Sequence, residues 1–595
     1  MSLQAIAGLL VLNLFVLGAG AGVLWGLRGW RSWTELLRLS GAAYMLGLAS
    51  LFVLWTLELV VGVPFGTVTI VSTGGLLVLG GVLTGRRKGR SLPRFRHTGW
   101  RVPRLSVLGA LFVAGIAVYF EALFRSARLQ GMGDDWDAWR AWTLRAKGLY
   151  YFGHLDVHMP SLGQYPSYPP GVSALQAAAF HAMGSADVVT LHLQYWFLAV
   201  GFVGALAGLL GPRVRTMLLL PFLLLMLVMP GVTAWNVWLM ADLPLGYFVA
   251  VGAVLVALWI EEQREWHLAG ATLLLAAAML TKREGLLYAA CVVVAGLAAT
   301  WGQRSRAWPR LGGVAAVAFA LALPWRIWFT AHGLHGDGPE SGWLGSLGHL
   351  QRVWPSFELV VRTMFAYGFW LVVPALAVVA ASLGILTGAR RLGLFLGAFL
   401  GAALVGATWV IWSNPSYPFT QDYSTNPVGR LTGTCVLTLA ALTPLLLQRA
   451  WHATQPETGW WTAARLPDRW ATGLAAAIVL VALLGYPSSR LVGSSGLELA
   501  GALPSFPSAG KCSGSPSSDR GMLVVLGDVP TYAEAYALRA RARAAGIRET
   551  SVVRSCGLVR VSVAGVPSAA VLRRVERRAA AAGLRPVRNL EARVP

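Results

Sequence analysis

Apolar runs of about twenty residues recur along this chain, and such a run has one stable setting, a helix inside a bilayer, where every backbone polar group bonds within its own segment. About fourteen candidate spans can be drawn, near 5–27, 41–62, 67–85, 105–124, 188–210, 216–232, 241–260, 268–281, 285–301, 311–330, 361–386, 392–412, 429–447 and 471–487. Only 13% of the 595 residues are charged and 56% are hydrophobic, whereas a soluble chain carries about a quarter charged. The fold class expected is mainly α, a polytopic membrane protein of about fourteen transmembrane helices.

The formal charge of +23 raises nucleic acid as a partner. Its placement argues otherwise. Lys and Arg concentrate at 28–38, 86–104, 211–215, 304–310, 390–391 and 449–469, on alternate loops, the positive-inside pattern of a cytoplasmic face. No nucleic-acid partner is expected, and a bacterial-type inner membrane is. Parity then puts 125–187, 233–240, 282–284, 331–360, 413–428 and everything after 487 on the extracytoplasmic side. The first apolar run lacks a small-residue cleavage site and reads as an uncleaved span. Together with the basic loop, the first three spans form an N-terminal segment, 1–104. Glu58, near the outer end of the second span, reads as an interfacial carboxylate or a substrate contact.

The densest chemistry lies in GMGDDWDAWRAWTLRAKGLYYFGHLDVHMPSLGQYPSYPPGV, 131–172. From Trp136 to Tyr151 the spacing of Trp139, Trp142 and Ala146 predicts an amphipathic helix lying on the membrane surface. Pro166, Pro169 and Pro170 then force an extended return to the next span. Asp137, on the helix, is a candidate general base; Asp134 and Asp135 precede it and read equally as helix caps. Arg140, Arg145 and Lys147 suit an anionic headgroup, Arg by two parallel hydrogen bonds and Lys as a point charge, or else snorkel to phospholipid phosphates. Tyr165, Tyr168 and Trp139 can stack on a sugar face or serve as ordinary interfacial aromatics.

Three further outer positions carry charge. Asp242 opens a span and is followed by Pro244; it is a second candidate carboxylate, or an acidic residue favoured by the helix N-terminus. In MLTKREGLLY, 279–288, a break between spans holds Lys282, Arg283 and Glu284, the cations suited to phosphate and the carboxylate to holding them, or else forms a tight solvent-facing turn. Arg430 begins a span, where a cation needs a partner. In the loop after Trp328, His332, His335, Asp337 and Glu340 raise a divalent cation, but their spacing fits no ligand motif. No metal or other cofactor is required.

Cys291 and Cys435 sit in apolar spans as packing residues. Cys512 and Cys556 fall in the extracytoplasmic tail, where they can pair as a disulfide or stay as thiols. Residues 488–518 form a Ser/Gly/Pro linker. From 519 to 595 the segments MLVVLGDV, AEAYALRARARAAG, TSVVRS, LVRVSVAG, SAAVLRRVERRAAAAG and PVRNLEARV predict strand, helix, strand, strand, helix, strand. That is the order of a small α+β ferredoxin-like domain, with "AAG" ending each helix.

WDAW…W…AK (136–147), the YPP step (168–170), ADLPL (241–245) and TKxEG (281–285) together resemble the GT-C superfamily of membrane glycosyltransferases, in particular its aminoarabinose transferase and protein O-mannosyltransferase branches. The resemblance covers roughly 105–450 within a catalytic module of 105–487, and the tail looks similar to a SPOR-like module. The resemblance implies transfer of a sugar from a polyprenyl-phosphate carrier to a cell-envelope acceptor, with inversion and without a required metal. It also implies that an outer-loop aspartate, best matched by Asp137, is the base, and that basic residues at Lys282 and Arg430 hold the carrier phosphate. Arg140 and Lys147 are expected as further donor-phosphate contacts, and Asp242, Glu284, Tyr168 and Trp139 as supporting or substrate-binding residues. The paired acids expected of the family are replaced here by Asp134, Asp135 and then Asp137. Two other functions fit a chain of this kind: a carrier or flippase for lipid-linked sugars, and an assembly scaffold whose tail contacts envelope glycan or protein.

Overall fold

The computed structural model describes residues 2–91, 93, 107–129, 137–159, 165–334, 350, 352–413 and 427–453, and in the tail 522–529, 532–548, 550–555, 558–566, 568–584 and 587–589. Asp134, Asp135, the His335–Glu340 portion of the loop, the run at 471–487, the linker at 488–518, Cys512 and Cys556 lie outside the described residues.

Nearly all of the first 453 residues that are described are helical. Among the described residues nine apolar stretches are long enough to cross a bilayer, starting at Leu3, Ser40, Thr67, Val107, Val188, Asp242, Trp301, Arg390 and Val428. Four more expected spans are shorter apolar helices: Thr216–Val228, Glu265–Thr281, Glu284–Ala299 and Val373–Leu386, of 13, 17, 16 and 14 residues. At 1.5 Å per residue they rise only roughly 20–26 Å, short of a ~30 Å hydrocarbon core. The run drawn as one span at 361–386 is broken into Val353–Met364, Tyr367–Trp370 and Val373–Leu386. Leu371 sits at φ 55°, a left-handed conformation no helix can carry through.

Two helices form the axis of the bundle. Asp242–Glu262 is buried along nearly its whole length, and Pro427–Ala453 is nearly as enclosed. They run parallel and are clasped twice. Near their first turns Arg430 Nη2 donates to Asp242 Oδ2 at 2.9 Å, and near their last turns Arg449 Nε donates to Glu261 Oε1 at 2.8 Å and Nη2 to Oε2 at 3.0 Å. Both pairs are 188 positions apart. The 19 residues from Arg430 to Arg449 rise roughly 28 Å, about one hydrocarbon thickness. The two clasps therefore lie at opposite ends of the bundle.

The stretch from Asp137 to Phe152 packs its apolar face against the protein. It begins as a π-turn, Ala138–Trp142, in which Thr143 N–H reaches the Ala138 carbonyl, and continues as Thr143–Phe152. Ala138, Ala141, Trp142, Ala146 and Leu149 are all buried. The apolar face that suggested an interfacial helix is covered by helix Gly171–Met183, whose Ser173 Oγ donates to the Trp142 carbonyl at 3.0 Å. A neighbouring helix satisfies the same periodicity as lipid does.

The tail builds its own core from Val524, Leu526, Val559, Val561, Leu572 and their neighbours. Its strands β1 (Met522–Val529), β2 (Ser551–Ser555), β3 (Leu558–Val566) and β4 (Val587–Asn589) form one antiparallel sheet in the order β2-β3-β1-β4. Helix Tyr532–Ala544 follows β1 and Ala569–Ala581 follows β3. Gly546 and Gly583, at φ 78° and 69°, end the two helices in the left-handed conformation that glycine adopts without strain.

Candidate functional site

Two close backbone approaches assemble the site. Helices Glu265–Thr281 and Glu284–Ala299 are separated by Lys282 and Arg283. A Cβ on Gly285 would fall 2.0 Å from the Ala278 carbonyl oxygen, so only glycine lets the chain fold back so tightly there. Gly171, directly after the YPP step, is pressed on the same segment: a Cβ there would lie 2.5 Å from the Leu280 oxygen. The YPPG and TKREG motifs, over a hundred positions apart, are thus locked back to back.

Arg145 fixes the loop that carries Tyr168. Its guanidinium is 1% exposed and donates to the carbonyls of Tyr165 (2.9 Å) and Tyr168. The cation suggested for an anionic headgroup is therefore a structural clamp, holding two carbonyls that the prolines leave without helical partners. Tyr168 is stacked between Trp142, at 4.9 Å, and Tyr165, at 5.7 Å. Burial pushes its phenol above the ordinary value, with Lys282, Glu284, Arg430 and Asp137 all within electrostatic reach, so it stays neutral at physiological pH.

Beside Tyr168 five ionisable groups from four parts of the chain converge. Asp242 Oδ1 accepts from Lys282 Nζ at 2.8 Å, and Oδ2 accepts from Arg430 Nη2 at 2.9 Å and Nε at 3.2 Å. Arg430 Nη1 donates to Asp137 Oδ2, and Lys282 Nζ lies 3.3 Å from Glu284 Oε1. Asp242 and Lys282 form the buried half, with side chains 3% and 6% exposed; Asp137 and Arg430, at 15% and 14%, form the accessible half. Tyr288 ties helix Glu284–Ala299 to helix Pro427–Ala453 by donating to the Leu431 carbonyl.

Three carboxylates face two cations, leaving one formal negative charge in excess. The second oxygen of Glu284 is buried with no hydrogen-bond partner among the described residues. Such a cluster can take up a proton at its accessible carboxylate and can orient a hydroxyl against it. At its rim, exposed Arg283 points Nη1 toward Ser167 Oγ at 3.5 Å, and Arg326 is within electrostatic reach of Arg283.

Asp137, Asp242, Lys282, Glu284, Arg430 and Tyr168 are thus brought together. Lys147 is half-buried on helix Thr143–Phe152, while Trp139 and Arg140 are described only in their backbone within the π-turn. Glu58 accepts from Thr73 Oγ1, joining two N-terminal helices, which is a structural use. Ser167 and Arg326 were not singled out from sequence. Nor was Asn236, whose Nδ2 donates to Tyr119 Oη at 3.0 Å and whose Oδ1 accepts from Tyr247 Oη at 2.9 Å. A buried amide within an apolar run costs free energy unless paired, and that was the signal available for Asn236.

Among the described residues no group of three or more His, Cys, Asp and Glu side chains is placed to hold a metal ion. Comparison with known proteins finds no matching family model, no matching curated protein and no matching solved structure.

Proposed function

We propose that this protein is an integral-membrane glycosyltransferase that moves a sugar from a polyprenyl-phosphate carrier to an acceptor hydroxyl on the extracytoplasmic face of the inner membrane. One observation carries this reading: Asp137, from the stretch before the YPP step, is gripped by Arg430 above a buried Asp242–Lys282 pair at one end of a membrane-spanning bundle. A carboxylate held at the mouth of such a cluster suits a general base acting on a lipid-borne substrate.

In the reaction, Asp137 takes the acceptor's proton as that oxygen attacks the anomeric carbon from the face opposite the carrier. The bond from that carbon to the phosphate oxygen breaks, the configuration inverts, and the carrier leaves as the phosphate. Charge on the departing phosphate needs stabilisation more than a proton. Arg430, the accessible cation of the cluster, and Arg283 at its rim are suited to it, while Lys282 holds Asp242 in place. Trp139, Arg140 and Lys147, on the same stretch as Asp137, would contact the donor. The expectation of about fourteen spans belongs to this reading, as do the ferredoxin-like, SPOR-like assignment of the tail and its contact with envelope glycan or protein. The strand and helix order and the β2-β3-β1-β4 arrangement support the ferredoxin-like part.

The charges favour an enzyme over a carrier, because they crowd at helix ends, whereas carriers bind near the bilayer midplane. The test is transfer from a labelled polyprenyl-phosphate sugar by purified protein in lipid discs. Wild type should release the carrier phosphate and Asp137→Asn should not. Protein-dependent movement of the intact lipid across vesicles, without release, would establish the carrier instead.

A further inference from the structure

At the end of the bundle remote from Asp242 and Arg430, a cavity of about 880 Å³ opens among the last turns of Asp242–Glu262 and Glu284–Ala299, the start of Arg390–Ser413 and the Arg449 clasp. Its polar lining is Glu261, Arg390, Arg391 and Arg449, with Trp301 at the rim. Arg449 is matched by Glu261 through two hydrogen bonds. Arg390 and Arg391 are exposed and make no ion pair among the described residues. The lining therefore carries two positive charges beyond its one carboxylate. Both cations lie in the first turn of a 24-residue helix, the end at which the backbone's own partial charge is positive, so the helix does not neutralise them.

Two features connect this cavity to lipid more than to a soluble anion. The helix leading into it, Val373–Leu386, shows an exposed apolar stripe of Val379, Leu383 and Leu386, at helical spacing and 52%, 41% and 81% exposed. It ends at Gly388, φ 95°, where the chain turns into the cavity wall. Trp301 is 61% exposed with the Arg304 guanidinium 6.0 Å from its ring, an aromatic and a cation paired as in the headgroup layer.

We infer that this cavity binds the phosphate-bearing headgroup of an anionic phospholipid in the leaflet opposite the candidate active site, Arg390 and Arg391 meeting the phosphate and the Val379–Leu386 stripe carrying an acyl chain. A phosphodiester supplies one of the two missing negative charges, and planar guanidinium groups grip it by paired hydrogen bonds.

The test is native mass spectrometry of the full chain with equimolar phosphatidylglycerol and phosphatidylcholine. Wild type should retain phosphatidylglycerol preferentially, by about fivefold or more per cation engaged. Arg390→Gln/Arg391→Gln should bring retention close to parity, and Arg390→Lys/Arg391→Lys should keep part of the preference. If the double Gln variant does not purify, each single Gln variant should show a partial loss. No preference in wild type, or an undiminished one in the Gln variants, would overturn the site. Full displacement of the lipid by millimolar inorganic phosphate would assign the arginines to a soluble anion and overturn the lipid assignment.

Discussion

Asp242 and Lys282 meet at 2.8 Å with side chains 3% and 6% exposed, and the same carboxylate also serves Arg430. One aspartate thus bridges two buried or half-buried cations. Removing it leaves both without their main partner, and a buried charge stripped of its partner costs about 3–5 kcal/mol.

Asp242→Asn should therefore destabilise the bundle severely, lowering the unfolding midpoint in detergent as followed by tryptophan fluorescence. Adding Lys282→Met should recover part of the loss, since the stranded charge is then gone. A double variant no more stable than Asp242→Asn alone would show that the pair is not coupled as its geometry requires.

Asp137 sits at the accessible edge of the same cluster, so Asp137→Asn should separate chemistry from stability. The amide keeps the size of the carboxylate and can still accept from Arg430, but it cannot take a proton. Transfer should fall by about 10²–10⁴, the usual contribution of a general base, with the unfolding midpoint shifted far less than in Asp242→Asn. Wild-type turnover in the purified variant would remove Asp137 from that role.

Gly285 tests the assembly of the site by sterics alone. A Cβ there meets the Ala278 carbonyl at 2.0 Å, whereas Gly302 has nothing within 4 Å. Gly285→Ala should reduce folded yield and shift the midpoint down by the 1–3 kcal/mol typical of overpacking or more. Gly302→Ala should be neutral in the same assay.

What the chain disclosed in advance follows from the cost of charge in hydrocarbon. Asp242, Lys282 and Arg430 stand at the ends of apolar runs, where an ionised group needs a partner, and they found one another. The tail's alternating strands and "AAG" helix ends were legible for a similar reason, since period and turn chemistry are local. Arg145 was misread because a cation for a headgroup and a cation clamping carbonyls look identical in sequence; only the prolines at 166, 169 and 170 hint that carbonyls need a donor. That protein covers the apolar face of 137–152 was not legible, because such a face does not say whether protein or lipid will cover it. The break at Leu371 carries no Gly or Pro at the position itself. The parallel register of the two axial helices is a long-range property that periodicity does not encode.

That register supplies the sharpest comparison. Arg430 with Asp242 and Arg449 with Glu261 are the same chemistry on the same two helices, one hydrocarbon thickness apart, yet their burial differs: 14% and 3% exposed at one end, 36% and 19% at the other. Where water reaches a pair, its attraction is screened and the ions are nearly as well solvated apart, so such a clasp contributes about 0–1 kcal/mol. Where water is excluded, losing one partner strands the other. Arg449→Ala should accordingly shift the unfolding midpoint slightly and leave transfer unchanged, while Arg430→Ala should cost several kcal/mol and abolish transfer together with donor binding. Measuring both in 0.1 and 1 M salt sharpens the contrast, because only the exposed clasp should weaken as the Debye length falls from about 10 to 3 Å. Equal losses at the two ends would mean that burial does not govern the clasps.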